Sequence, residues 1–339
     1  MWPDEYPLHT ININSIIFQD TTFFCRFFDK ADDTLARSIE EWGLLAPPLV
    51  RQKDDQCFQI ILGFQRLKVV KTLNHKEIRC FVITKENDPG NETLWKLTIS
   101  ELLSHGTPHV FDQSVIFNKL LHFFPHQWII VTILPLFGLP PSSHILDRIC
   151  PLMNLDHLLA LAVLKDQISH QMALRLLTLS PPERLSLGTL FMAYKFSKST
   201  QFEILEHVLD LKAIHSIPID ELLERVKKKF LPDEGKFNLP HQAQQIRKEI
   251  RSWRFPTLTT LEQRYHKAIK SLKLGAGINL KPPPFFEGNT YHMSMTFHTI
   301  DDLREKISQL NKNIRIQRKL WNEIKKSHSF QSPKSPHKY

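Results

Sequence analysis

The sequence predicts an α+β chain. A small mixed α/β domain stands at the N-terminus, followed by an all-helical middle domain with a helix-turn-helix-like segment. A basic C-terminal region carries a short strand and a long helix. Three observations predict this. Short β-branched runs alternate with helical stripes in the first part of the chain, apolar residues then recur at helical spacing, and the last third turns strongly basic. The expected divisions are 8–90, 91–225 and 226–326, with a Ser-, Lys-, Pro- and His-rich tail over 327–339 that reads as disordered. A length of 339 residues fits two or three such domains.

Charge is distributed unevenly. Residues 1–124 have a net charge of −3, residues 125–225 of −2, and residues 226–339 of +14, within a total of +9. Positive charge concentrated on a near-neutral body points to a polyanionic partner, because phosphate binding follows local charge density. The start, Met1-Trp2-Pro3-Asp4-Glu5, lacks the basic and apolar runs of a secretory leader, and the apolar stretch Trp128–Leu139 is too short to span a bilayer. The four cysteines, Cys25, Cys57, Cys80 and Cys150, form no CxxC pair and fit reduced thiols. A cytoplasmic protein without membrane contact is expected.

In the N-terminal part, Ile11–Phe18 reads as a strand. Asp32, Asp33 and Thr34 offer caps to a helix whose apolar face is Leu35, Ile39 and Trp42, and Gly43 ends it. Pro47-Pro48-Leu49-Val50 leads into a strand, Lys53–Gln56 forms a polar turn, and Cys57–Leu62 answers it. After Gly63 a helix runs to about Leu73 with Leu67, Val69 and Val70 inward, and Ile78–Thr84 is a further strand. A glycine between strand and helix lets backbone N–H groups approach a phosphate unobstructed. Arg66 and Lys68 in the first turn would add cationic contacts, although an ordinary turn with exposed basic residues has the same pattern.

The run Leu35–Val50 resembles the first box of the ParB chromosome-partitioning family, L-A-x-S-I-x-x-x-G-x-x-x-P-x-x-V, and meets every fixed position. Phe58–Val69 resembles the second, Y-x-I-I-x-G-E-R-R-x-R-A, and Arg26-Phe27-Phe28-Asp29 is similar to the lead-in. The resemblance implies a small nucleotide-binding fold over about residues 10–84 that takes CTP and magnesium. It assigns the nucleotide to Gly63, Gln65, Arg66, Lys68 and Glu101. The sequence departs from the pattern where chemistry would occur. Phe64 replaces the glutamate that supports hydrolysis, and Gln65 replaces an arginine. In the third box, aligned with Glu101–His105, Leu102 stands where an asparagine binds magnesium, and hydrocarbon cannot ligate a hard cation. The expectation is an altered or lost CTP switch, without hydrolysis or a catalytic residue. The same fold also supports sulfiredoxin-like enzymes, which need a cysteine where Phe64 stands, and a serine kinase, which needs a carboxylate base; Glu40 and Glu41 are candidates for it, although helix surfaces commonly carry such residues.

The middle of the chain reads as helices over 92–124, a short apolar helix over Trp128–Phe137, a turn at Gly138–Ser143 and a helix over His144–Leu152. This outline is a helix-turn-helix, which family members carry after the nucleotide domain. It would present Ser142, Ser143, His144 and Arg148 to DNA. Ile168–Leu177 and Ser197–Leu205 resemble further family segments, with Ser199 as a cap and Lys195 and Lys198 as phosphate contacts.

In the last third, Lys227, Lys228 and Lys229 form a cluster, and Arg247, Arg251 and Arg254 share one face of a helix over His241–Trp253. That stripe either tracks a phosphate backbone or is a solvated face. A helix over Thr257–Leu274 buries Leu261, Tyr265, Ala268, Ile269 and Leu272, and alternation from Tyr291 to Phe297 predicts a half-buried strand. His292 and His298 lack partners at metal-ligand spacing. From Thr299 a long helix carries Leu303, Ile307, Leu310, Ile314, Trp321 and Ile324 as a heptad-like stripe. This suits packing within the chain or a homodimer through the C-terminal helix. Two functions follow as expectations: a DNA-binding protein of chromosome or plasmid partition or of transcriptional regulation, or a non-catalytic scaffold of this fold that binds a protein partner.

Overall fold

The computed structural model describes residues 6–29, 33–54, 56–230, 239–272, 274–288 and 290–316. The expected tail at 327–339, together with Asp32, Trp321 and Ile324, lies outside them. The fold is mixed α+β and divides into two compact units, residues 1–192 and 193–339. The finer division at 90 and 225 stays a proposal. Among the described residues no helix is long and apolar enough to cross a membrane.

The first unit begins with β1 (Leu8–Asn12) and β2 (Ile16–Ile17). The single strand expected over Ile11–Phe18 is broken, because the Asn12 side chain accepts a hydrogen bond from the Asn14 N–H at 2.9 Å and turns Ile13–Ser15 into a 3-10 helix. Then come α1 (Asp33–Trp42), β3 (Leu49–Gln52), β4 (Phe58–Leu62), α2 (Phe64–Thr72) and β5 (Glu77–Ile83). Gly43, at φ 72°, ends α1 as expected, and its N–H donates to the Ile39 carbonyl at 2.9 Å. Ile39 is buried, but Trp42, expected on the same face, is 68% exposed.

The five strands pair in the order β1-β5-β3-β4-β2, antiparallel for β1–β5 and β3–β4 and parallel for β3–β5 and β2–β4. Alternate residues face opposite sides of the sheet. Val50, Ile60, Ile78, Cys80 and Val82 pack with Ile39 of α1 and with Leu67 and Val70 of α2. Leu49, Ile61 and Ile83 pack on the other side with Leu94, Trp95 and Ile99 of α3 (Gly90–Ser104) and Ile116, Phe117 and Leu120 of α4 (Val110–Phe123). All four cysteines are free, and burial pushes the thiols of Cys25 and Cys80 up to about 12.

One buried polar network ties the sheet to its surroundings. Arg51 on β3 is 7% exposed and donates to Gln59 Oε1 at 2.6 and 3.0 Å and to Asn91 Oδ1 at 3.0 Å. Gln59 in turn donates to Asp20 at 2.6 Å. Burial would raise the Asp20 carboxyl, but hydrogen bonds from Thr22 and Gln59 outweigh it and hold Asp20 below the usual carboxylate range.

The rest of this unit is helical. Trp128–Phe137 is not one α-helix. It is a turn, α5 (His126–Trp128), a π turn (Ile129–Ile133) and a 3-10 turn (Leu134–Phe137) whose Pro135 has no N–H to continue an α ladder. Helix α6 spans Ser143–Ile149 and gives way to a 3-10 turn at Cys150–Asn154, which contains Pro151. Then follow α7 (His157–Leu164), α8 (His170–Leu176) and α9 (Pro181–Tyr194).

The second unit holds α10 (Lys198–His215), α11 (Ile219–Phe230), α12 (Leu239–Arg254), α13 (Pro256–Leu272), β6 (Ile278–Lys281), β7 (His292–Met295) and α14 (Ile300–Ile316). The cap of α10 is Ser197, not Ser199. Its hydroxyl accepts from the Thr200 N–H at 3.3 Å. Leu261, Tyr265, Ala268 and Leu272 of α13 are buried as expected. Strand β7 pairs with β6, which the sequence did not announce, and is less covered than expected, with Met293 45% exposed. Thr299 caps α14 by accepting from the Asp302 N–H at 3.1 Å.

Gln59→Leu leaves the buried Arg51 fork short of its main acceptor. Equilibrium urea unfolding should show a loss of about 2–4 kcal/mol, most of it recovered in the Arg51→Met/Gln59→Leu double variant.

Candidate nucleotide turn and basic surfaces

The turn between β4 and α2 is tightly built. Gly63 sits at φ 88°, ψ 24°, a left-handed conformation that side chains rarely tolerate. A Cβ there would lie 3.0 Å from Pro48 Cβ and 3.2 Å from the Arg66 guanidinium. Arg66 folds back over the glycine. Its Nη1 donates to the Ala46 carbonyl at 2.6 Å, and its Nη2 lies 3.8 Å from Glu101. Burial pulls the guanidinium below its ordinary value, and Glu101 opposes that. The structure therefore brings Gly63, Arg66 and Glu101 together, with Arg66 directed at the first-box loop.

The other two predicted residues face a different partner. Gln65 Nε2 donates to Asp29 Oδ1 at 3.3 Å, and Lys68 donates to Asp29 Oδ2. Gln65 Oε1 is buried without a hydrogen-bond partner among the described residues. Phe64 is 8% exposed and packs on Phe24 at 4.8 Å, and the Lys68 ammonium lies 5.3 and 5.4 Å from these two rings. Leu102 packs against the apolar core of α3 and α4.

The segment that delivers Asp29 is the lead-in Arg26-Phe27-Phe28-Asp29, noted in the sequence for its resemblance but without partners for it. Lys119 of α4 donates to the carbonyls of Thr21 and of Phe24, the latter at 2.8 Å, and burial lowers its ammonium below the usual lysine value. Asp112, also on α4, accepts from the Phe27 N–H at 2.7 Å. Phe27 and Phe28 close over His157 at 4.9 and 5.4 Å. Asp112 and Lys119, seven apart on a helix whose buried residues are mainly apolar, are the sequence signal for such an anchor, since charged groups are buried only with partners.

In the segment expected to form a helix-turn-helix, Ser143, His144 and Arg148 are exposed and Ser142 is half-buried. His144 Nδ1 stands 3.9 Å from Asp147 on the same face. In the second unit Lys195 and Lys198 are exposed. Lys227 pairs with Glu224 at 2.8 Å and Lys229 with Glu249 at 2.6 Å, while Lys228 has no ion-pair partner among the described residues.

The arginine stripe of α12 is engaged along its length. Arg247 grips Glu203 through bonds of 2.7–3.1 Å, Arg251 grips Glu262 at 2.8 and 2.9 Å, and Arg254 donates to Asp210 at 2.7 Å. The Glu262 bond raises the Arg251 guanidinium, and burial lowers the neighbouring His207 imidazole. The face is thus a seam between helices. Its sequence signal is a matched interval, since Arg247 and Arg254 are seven apart and so are Glu203 and Asp210. Among the described residues no cluster of three or more His, Cys, Asp or Glu side chains could hold a metal ion.

The five-stranded sheet and its glycine turn lie within the stretch that the family comparison matches. Residues 4–94 match the ParB N-terminal domain, and the chain carries that domain. It is 45% identical over 56 residues to a probable chromosome-partitioning protein ParB of Campylobacter jejuni, a match covering 16% of this chain and 20% of that protein. It is 28% identical over 117 residues to a nucleoid occlusion protein of Bacillus cytotoxicus, covering 34% of this chain and 38% of that one. The matched stretches thus span well under half the length of either relative. A C-terminally truncated ParB from Caulobacter crescentus, complexed to the centromeric parS site, aligns over 56% of this chain and 94% of its own at 14% identity and a TM-score of 0.32.

Replacing Gly63 by Ala forces a side chain into the left-handed turn against Pro48. Urea unfolding should show a loss of about 1–3 kcal/mol, and an unchanged midpoint would contradict the turn as described.

Proposed function

We propose that this chain is a ParB-like DNA-binding protein, acting in chromosome or plasmid partition or in transcriptional regulation, whose nucleotide switch is altered or lost. The observation that carries this reading is the joining of a ParB N-terminal domain at residues 4–94 to a last third of net charge +14. The names of the relatives, a chromosome-partitioning protein and a nucleoid occlusion protein, support the same class.

The state of the nucleotide turn supports an altered switch. A phosphate-binding turn needs cations free to meet the ligand. Here Arg66 is bound to the Ala46 carbonyl and Lys68 to Asp29. Position 64 offers a buried phenyl ring in place of a carboxylate, and Leu102 offers no oxygen to magnesium. Hydrolysis of CTP is not part of this reading.

The DNA contacts would come from Ser142, Ser143, His144 and Arg148 on one unit, and from Lys195, Lys198 and Lys228 on the other. A homodimer through α14 belongs to the same reading. That helix has no buried residue among those described, and Ile307 is 43% exposed. The second reading, a scaffold for a protein partner, is favoured by the engagement of Arg247, Arg251 and Arg254 with the chain's own carboxylates.

A titration of duplex DNA over a range of salt separates the two. The first reading expects binding that falls steeply with salt, and absence of binding at low salt overturns it. Because the stripe is a structural seam, Arg247→Ala should lower the unfolding midpoint and leave the salt slope unchanged. A slope reduced by about one would make Arg247 a phosphate contact.

A further inference from the structure

Asp29 is in an unusual position for a surface carboxylate. It reaches two side chains of the first turns of α2, 36 and 39 residues away in sequence. It bonds the amide of Gln65 and the ammonium of Lys68 together. An isolated exposed pair of this kind contributes little, but Asp29 is not held by that pair alone. The segment before it is fixed to α4 at three backbone points: the carbonyls of Thr21 and Phe24, held by Lys119, and the N–H of Phe27, held by Asp112. The carboxylate is therefore delivered by an anchored strap. It also remains open to competition from solvent, since the Asp29 side chain is 47% exposed and that of Lys68 33%.

We propose that Asp29 is a latch, an internal anion seated on the polar and cationic side chains of α2, which keeps phosphate-bearing ligands off this turn. The proposal rests on the reading of residues 63–68 as a ParB-type turn. Lys68 is the contested group. Arg66 is engaged separately, with its Nη1 on the Ala46 carbonyl and its Nη2 3.8 Å from the Glu101 carboxylate. Two rings, Phe24 and Phe64, lie 5.3 and 5.4 Å from the Lys68 ammonium and favour that position independently of the carboxylate. On this proposal, removing the carboxylate exposes a cation still seated on the two rings. A polyphosphate carries several negative charges and accepts several hydrogen bonds, so it competes with one carboxylate once the strap yields.

The test uses the full chain and inorganic tripolyphosphate as the probe, titrated by calorimetry at low salt into wild type, Asp29→Asn, Asp29→Ala and the double variant Asp29→Asn/Lys68→Met. Both single variants should bind about tenfold tighter than wild type or more, and the double variant should lose that gain. Circular dichroism melts identify the variants that are folded. The Asn isostere can still accept a hydrogen bond from Gln65, so it carries the comparison if Asp29→Ala unfolds. Folded variants that bind no tighter than wild type overturn the latch. So does a gain that persists without Lys68. Duplex-DNA binding measured in parallel is a separate readout, so failure of the DNA-binding reading leaves the tripolyphosphate comparison intact.

Discussion

Gly63 holds its left-handed backbone between Pro48 and the folded-back Arg66, and the geometry around the turn depends on that closure. The missing Cβ lets the Arg66 guanidinium lie across the turn and reach the Ala46 carbonyl, which ties the first-box loop to the start of α2. With Arg66 engaged there, Lys68 and Gln65 are left on the other side, where Asp29 meets them. The same turn orients Phe64 toward Phe24, so a ring rather than a carboxylate occupies the position after the glycine. The glycine turn is kept in its backbone while the cations beside it, Arg66 and Lys68, are bonded within the chain.

The second unit follows a related logic at larger scale. Helix α12 presents arginines at the interval at which α10 presents carboxylates, and two pairs form in register, with Glu262 of α13 taking the third arginine. Bidentate arginine–carboxylate contacts add geometric specificity to the apolar contacts of Ile246 and Ile250. The net charge of +14 in the last third is therefore not equivalent to a free basic surface. Arg247, Arg251 and Arg254 within it orient helices.

How far this was legible in the sequence differed from element to element. The first box and the glycine of the second were readable because a fixed backbone need imposes fixed residues at fixed spacing: Gly43 ends α1, and Gly63 starts α2. The strands β4 and β5 were readable as short apolar runs bounded by turn residues, and the near-continuous burial of Gln59–Leu62 is what a strand covered on both faces requires. The partners of the site were not readable, since Ala46, Asp29, Asp112 and Lys119 come from distant segments and only the fold brings them to α2 and its lead-in. The arginine stripe was seen as a face, but a single helix does not state what lies opposite. Trp42 fitted the apolar spacing of α1 and is nevertheless solvent-facing, because the sheet covers only the part of the face around Ile39.

The central claim is that a ParB-type frame binds DNA here without a working nucleotide switch. The most direct measurement is the affinity and dissociation rate of the full chain on duplex DNA, with and without CTP and magnesium. The account predicts that both quantities are the same in the two conditions. A change in either on adding CTP, lost in Arg66→Ala, would contradict it and restore the turn at Gly63 to a regulatory role.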